Sequence, residues 1–336
     1  MHSLIQQPFR TAVLILVWGW LLFLVLAPNL LVVGASVMTR DPVSFLSLPL
    51  NLDAYRQLFD PLYLKVFLHS LYYVSKMRQD DLLMPIDRSK IEGFENLDPE
   101  LVNLDVDPDN TFSVPYLWGT TGLAVDTADI EGEPVTAWED LWQDRFEGRV
   151  MLTNDMREVF HVGLRVLGYS GNSTNPDEIE AAYEKLSELM PSVRTFNSDA
   201  PRMPYLEGET DVGMIWNGEA VMGREVMPSL EYVYPKEGII AWLDSFVIPK
   251  TAKNPEAAHK FISFVLRPEI SALISEEIGY ATPNLAARDL MPDQVANNRA
   301  SYPNATDMIN AEFQTDIGDD ALQVYAKYWE MLKSGR

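Results

Sequence analysis

Residues 113–152 read SVPYLWGTTGLAVDTADIEGEPVTAWEDLWQDRFEGRVML, and the alternation inside this stretch decides the fold class. Ser113 to Trp118 and Gly122 to Val125 are short apolar runs, both strand-like. Trp138 to Trp142 has helical spacing and leads into a further strand from Gly148 to Leu152. The same grammar runs on toward the C-terminus. Asp177 to Met190 is spaced as a helix, and Asp211 to Trp216 and Ile239 to Val247 read as strands. Asn254-Pro255-Glu256 caps a helix through Leu266, and Ala321 to Leu332 forms the last helix. Strands alternating with helices mark an α/β protein, expected here as two lobes joined by crossing strands with a ligand cleft between them.

Of the 336 residues, 49 are acidic and 26 basic, and the net charge of −23 excludes a phosphate-backbone partner. A hydrophobic share of 47% is ample for a sizeable core. The absence of cysteine removes disulfides, thiolate nucleophiles, zinc ribbons and iron–sulfur ligation. The charge is uneven: residues 1–78 hold six basic and three acidic side chains, so the acidity belongs to the rest of the chain. From Ala12 to Val33 the run AVLILVWGWLLFLVLAPNLLVV is uncharged over 22 residues. At about 1.5 Å per residue a helix of that length spans roughly 33 Å, the thickness of a bilayer core, so one transmembrane helix is expected. The competing reading is a signal peptide cleaved after Val33-Gly34-Ala35, against which the length of the run argues. Either way the acidic body is exported, anchored in the first reading and soluble in the second. Asn51-Leu52-Asp53 signals a helix stopped at Asp60-Pro61. The apolar stretch after Pro61 is too short to span and reads as an interfacial or packed helix.

Four places carry candidate chemistry. Thr153-Asn154-Asp155-Met156-Arg157-Glu158 follows a strand and opens a helix, which sets Asp155 and Glu158 on one face, one turn apart. Such acids face a cation, or merely complement the helix dipole. Trp216 ends a strand just before a Gly218 turn, a position that suits either a cleft or the core. Trp242 and Asp244 share a strand face by the two-residue period, and an aspartate inside that apolar run needs a partner if buried; a ligand cation fits. Tyr280, in Ile278-Gly279-Tyr280-Ala281-Thr282-Pro283-Asn284, either lines a cleft or seals a turn. Together the acids and rings suit a flexible methylene chain with ammonium ends. Carboxylates pair the ends, and rings cover the methylenes with cation–π attraction of about 0.5 to 2 kcal/mol each. An enzyme using Asp155 and Glu158 as an acid/base pair is the remote alternative, because no nucleophile, metal set or phosphate loop accompanies them and His2, His69, His161 and His259 are scattered. No cofactor is expected. Asn172-Ser173-Thr174 matches a glycosylation acceptor, which carries little meaning in an exported bacterial-looking chain.

From about residue 70 onward the chain resembles the spermidine/putrescine-binding periplasmic proteins of polyamine ABC transporters. The resemblance rests on Ser70-Leu71-Tyr72-Tyr73-Val74-Ser75-Lys76-Met77, Val114-Pro115-Tyr116-Leu117-Trp118-Gly119, Asp155-Met156-Arg157-Glu158-Val159-Phe160, Leu167-Gly168-Tyr169-Ser170-Gly171-Asn172, Gly213-Met214-Ile215-Trp216-Asn217-Gly218, Trp242-Leu243-Asp244-Ser245 and the run from Ile278 to Arg288. It implies a two-lobe, type II periplasmic-binding-protein-like α/β fold. It also implies ligand roles for Asp155, Glu158, Trp216, Trp242, Asp244, Tyr280 and Gln314, with Ser70 and Tyr72 matching at the junction. The implied partners are a polyamine and ABC transporter permease subunits. Residues 1 to about 72 resemble instead the start of an inner-membrane permease subunit of such a transporter, in the place where the family has the opening strand–helix–strand of its first lobe. The expected organisation is a permease-like anchor over 1–72, a truncated lobe 1 from 73–119 and 243–288, and lobe 2 from 120–242 and 289–336. Loss of the opening of lobe 1 is expected to impair polyamine binding or, in the alternative reading of a binding-incompetent chimaera, to abolish it. Glu219 stands where the resemblance implies a small residue, its charge either favouring a cation or merely solvated.

Overall fold

The computed structural model describes residues 38–41, 45–50, 67–130 and 132–335, with side chains from Tyr73 onward. Two units are present, Met1–Leu64 and Lys65–Arg336. In the first, β1 (Met38–Asp41) and β2 (Phe45–Leu50) form an antiparallel pair. The run over 12–33 expected as a transmembrane helix, and the helix expected after Asp53, lie outside the described residues. Among the described residues no helix is long and apolar enough to cross a membrane.

The second unit is built on one sheet whose strands are β3 (Phe67–Ser70), β4 (Ser113–Asp126), β5 (Val150–Leu152), β6 (Val193–Phe196), β7 (Val212–Trp216), β8 (Leu230–Val233), β9 (Ile240–Val247) and β10 (Glu312–Phe313). The two runs expected as separate strands, 113–118 and 122–125, are one fourteen-residue strand, β4. Its register shifts between Pro115 and Leu117, where proline has no N–H to give to the ladder. Thr121 is where β4 changes partners: it pairs with Ile240 of β9 and with Trp216 of β7. The N-terminal half of β4 runs antiparallel to β9, and the C-terminal half is antiparallel to β7 and β8. β5 lies parallel between β7 and β6, and β10 parallel to β9.

The stretch after Pro61, read from sequence as an interfacial or packed helix, contains β3, which runs antiparallel along β9 from Val247 to Asp244. A short apolar run carries no periodicity that separates strand from helix, and its partner here is more than 170 residues away in sequence. The helices are α1 (Leu71–Gln79), α2 (Met156–Val166), α3 (Pro176–Leu189), α4 (Met203–Leu206), α5 (Asn217–Val226), α6 (Pro255–Val265), α7 (Pro268–Ile278), α8 (Leu285–Arg288), α9 (Asp293–Ala296) and α10 (Gly318–Ser334). Their starts follow the capping chemistry: Asn175 accepts from Asp177 N at 3.1 Å and Asn254 from Ala257 N at 3.1 Å, each followed by a proline that needs no donor partner.

Two apolar clusters dominate. Leu123, Trp138, Phe160, Leu186, Val212 and Tyr325 belong to the larger, under α2, α3 and α10. Ile86, Phe94, Val114, Phe246, Ile262 and Leu266 belong to the smaller, under α6. Burial of each leucine, valine or phenylalanine among them contributes about 1.5–3 kcal/mol. Trp138 is buried completely because its Nε1 donates to Gly238 O at 2.8 Å. α1 reaches the start of α10 through Lys76 and Asp319 at 3.1 Å and through Gln79 Nε2, which donates to Asp316 Oδ2 at 3.1 Å.

Candidate functional site

Where β4 and β9 pass between the two clusters, a pocket of about 340 Å³ is lined by Leu117, Asp155, Glu158, Trp216, Trp242, Asp244, Ile278, Tyr280 and Gln314. Seven of the nine side chains singled out from the sequence therefore meet in one place. For the other two, Ser70 ends β3 in register with Asp244 and Tyr72 lies in the first turn of α1; their side chains precede Tyr73, where the described side chains begin. A larger cavity of about 680 Å³, beside Tyr234, Lys236 and Arg299, contains none of the nine.

One wall comes from α2. Asp155 is the N-cap of that helix, its Oδ1 accepting from Glu158 N at 2.9 Å. Besides capping the helix, Asp155 lines the pocket. Glu158 is only 6% exposed. Its Oε1 accepts from Thr121 Oγ1 at 2.6 Å and from Trp216 Nε1 at 3.0 Å, and Oε2 lies 3.2 Å from the same indole nitrogen. Burial, and then the charge of Asp155, push its carboxyl up to about 7, against hydrogen bonds from Thr121, Trp216 and Thr153 that favour the anion. Trp216 is thus held by an acid at the tip of β7 while its backbone turns into α5.

The other wall comes from β9 and the loop after α7. Trp242 and Asp244 lie opposite Gly119 and Leu117 of β4. A Cβ on Gly119 would sit 2.6 Å from the Trp242 ring and closer still to Asn217 Oδ1, so only glycine lets the indole lie across the strand. A Cβ on Gly218 would meet the Tyr280 ring at 2.6 Å. The Trp242 and Tyr280 rings make an edge contact at 5.3 Å and 67°. Gly279 closes α7 at φ 73°, a left-handed position, and Trp118 N donates to Ala281 O at 3.0 Å, pinning the loop to β4. Burial pushes the Tyr280 hydroxyl far above its ordinary value, with Glu219, Asp244 and Glu158 adding to the shift.

Gln314 follows β10 directly and is buried, its Nε2 without a hydrogen-bond partner among the described residues, as is Nε1 of Trp242. None of the lining residues is basic. Glu219 is neither a free cation ligand nor merely solvated: it pairs with Arg202 at 2.7 Å beside Tyr280. His161, on α2, is fully buried, and burial lowers its imidazole to about 3, helped by Arg165 and Arg157. Sequence reasoning missed Leu117, Thr121 and Ile278, together with the two glycines that make room for the rings. The signal for Gly119 and Gly218 was a glycine one or two residues after a tryptophan, but its meaning depends on which elements pack against it.

The family model described as bacterial extracellular solute-binding protein matches residues 64–304, beginning just before β3. The sequence is 51% identical over 267 residues to the spermidine/putrescine-binding periplasmic protein of Salmonella typhimurium, covering 80% of this chain and 76% of that protein. It is 49% identical to the spermidine/putrescine-binding periplasmic protein of Escherichia coli, with the same 80% and 76% covered. Among solved structures, the spermidine/putrescine ABC transporter substrate-binding protein of Streptococcus pneumoniae is similar with a TM-score of 0.72 at 34% identity, over 83% of this chain and 88% of that one.

Proposed function

We propose that this chain, which belongs to the bacterial extracellular solute-binding proteins, binds a linear polyamine, spermidine or putrescine, and presents it to ABC transporter permease subunits for uptake. The observation that carries this reading is a pocket of about 340 Å³ lined by three carboxylates and three aromatic rings, with no basic side chain among its lining residues. The N-terminus of α2 alone attracts anions; Asp155 and Glu158 reverse that sign and make the place suited to a cation. Asp155, Glu158 and Asp244 pair the ammonium groups, and Trp216, Trp242 and Tyr280 cover the methylenes. The amide of Gln314, turned by half a rotation, offers its oxygen to an ammonium N–H. Ser70 and Tyr72 are assigned to the same site, Ser70 because its strand position faces Asp244 in the ladder.

The two apolar clusters are read as the cores of two lobes, 73–119 with 243–288 and 120–242 with 289–336, and β4 and β9 as the crossing strands. β3 adds a strand beside β9 from within the residues read as permease-like. The run over 12–33 is proposed to tether the body to the inner membrane. Retention in the membrane fraction after a carbonate wash is expected, and release of a form beginning at Ser36 would instead mean a cleaved signal and a soluble periplasmic protein.

Calorimetric titration of the full chain with spermidine, putrescine and the uncharged 1,8-octanediol tests the binding role. Both polyamines should bind, more weakly as salt is added, and the diol should not. A folded chain that gives no heat with either polyamine would favour the reading as a binding-incompetent chimaera.

A further inference from the structure

We infer that Asn172 is a positioning residue for the polyamine site: its side-chain amide clamps the backbone on both sides of Gln314 and ties it to the helix that carries Asp155 and Glu158. The inference rests on the polyamine reading above. β10 ends at Phe313, so the sheet gives no ladder partner to the residues after it. Asn172 supplies one. Its Nδ2 donates to Phe313 O at 2.8 Å and its Oδ1 accepts from Thr315 N at 2.9 Å. A side-chain amide thereby makes the donor and acceptor pair that a neighbouring strand would make.

The residue between the two clamped groups is Gln314. With the backbone held on both sides of it, Gln314 is fixed in the place from which it lines the pocket. The same Oδ1 accepts from Arg157 Nη2 at 3.0 Å, and Arg157 Nη1 donates to Thr315 O at 3.2 Å. Arg157 is 4% exposed and stands in α2 between Asp155 and Glu158, so the acidic wall and the Gln314 segment share one connected set of hydrogen bonds. A second tie lies alongside: Glu312 meets Arg165 at 2.5 Å, and its Oε2 accepts from Gly171 N at 2.8 Å and from Ser170 Oγ at 3.0 Å. The turn over 170–172 therefore works as a bracket for 312–315. The Asn172-Ser173-Thr174 triplet, which resembles a glycosylation acceptor, has its asparagine amide engaged in this bracket.

Two measurements on the full chain test the clamp. Thr315 is exposed, so its amide exchanges slowly in the ligand-free protein only if Asn172 holds it. N172A should speed Thr315 exchange by about fivefold, the size of one ordinary hydrogen bond, and Q314A should leave it unchanged. Unchanged exchange in N172A overturns the clamp. Spermidine titrations of wild type, N172A, Q314A and the double variant then test the positioning role. N172A should weaken binding in the wild-type background and have no further effect once Gln314 is alanine, whereas simple addition of the two losses overturns the role. If N172A does not fold, N172D keeps the bond from Thr315, loses the donor to Phe313 O, and must show the same dependence on Gln314. A wild-type chain that binds no spermidine defeats the polyamine reading, and Thr315 exchange still decides the clamp.

Discussion

On one wall of the pocket Glu158 is fixed by donated hydrogen bonds from Thr121 and Trp216 at 2.6–3.2 Å, while on the other Trp242 and Tyr280 are fixed by shape, each ring lying where a single Cβ would stand 2.6 Å away. The first wall holds a buried carboxyl whose ionisation is costly, and the second holds two rings whose position depends on two glycines. The contrast separates two jobs. Directed hydrogen bonds set where charge sits and how it answers to pH, and close packing sets where the rings stand. Asp244 joins the two, a carboxylate on the strand that also bears Trp242.

The largest effect should come from breaking that join. Asp244→Asn keeps the shape of the second wall and removes its charge, and should cost about 2 to 5 kcal/mol of spermidine binding, as for one member of a buried pair. Calorimetry that finds the affinity unchanged would place the ligand elsewhere.

Next in size is the hydrogen-bonded wall without a ligand. Glu158 titrates at about 7 in the folded protein against an ordinary 4.5, so the folded state binds the proton more tightly than the unfolded chain. Its contribution to stability is therefore present below about 4.5 and is lost as pH rises to about 7, a change on the order of 3 kcal/mol. Glu158→Gln should remove that slope and leave the ligand-free protein more stable than wild type at pH 8, although it binds spermidine less well. His161 acts in the opposite sense: lowered from 6.5 to about 3, it withdraws stability as pH falls through that interval. The two slopes oppose between about 4.5 and 6.5, so denaturant midpoints against pH should be flatter there in wild type than in Glu158→Gln.

The packed wall is tested by adding one methyl group. Gly119→Ala and Gly218→Ala drive a Cβ into the Trp242 and Tyr280 rings, and each should cost about 1–3 kcal/mol in urea unfolding, with polyamine binding weakened in step. A variant that keeps wild-type stability and affinity would show that the rings have room to move. The smallest effect belongs to a contact outside both walls. Lys76 and Asp319 pair at 3.1 Å on the surface, and Lys76→Ala should leave the urea midpoint unchanged within error.

The acids and Trp242 were easier to read from the sequence than the groups that position them. Asp155 and Glu158 fall at a strand-to-helix boundary, where cap spacing alone places them on one face, and Trp242 and Asp244 follow from the period of a strand. Gln314 had no such pattern and came only with the resemblance. The roles of Thr121, Gly119 and Gly218 depend on the register of β4 with β7 and β9, a pairing across about a hundred residues or more that no local window contains. The same limit explains β3, whose strand character comes from β9, and Glu219, whose charge is answered by Arg202 from the segment before β7. The Asn172 bracket belongs to this class as well, because its partners lie more than 140 residues along the chain.

The central claim is that this pocket closes its carboxylates on the ammonium groups of a polyamine. Spermidine is fully protonated at pH 7, whereas burial and the charge of Asp155 raise Glu158 so that its carboxyl holds a proton more readily than a free one, and binding must ionise it. Calorimetric titration of the full chain with spermidine at pH 7, repeated in two buffers of different ionisation enthalpy, reads the protons exchanged per ligand bound. The account predicts net proton release on binding, vanishing in Glu158→Gln. Binding with no proton release, or with uptake, would contradict it, as would the absence of any binding heat.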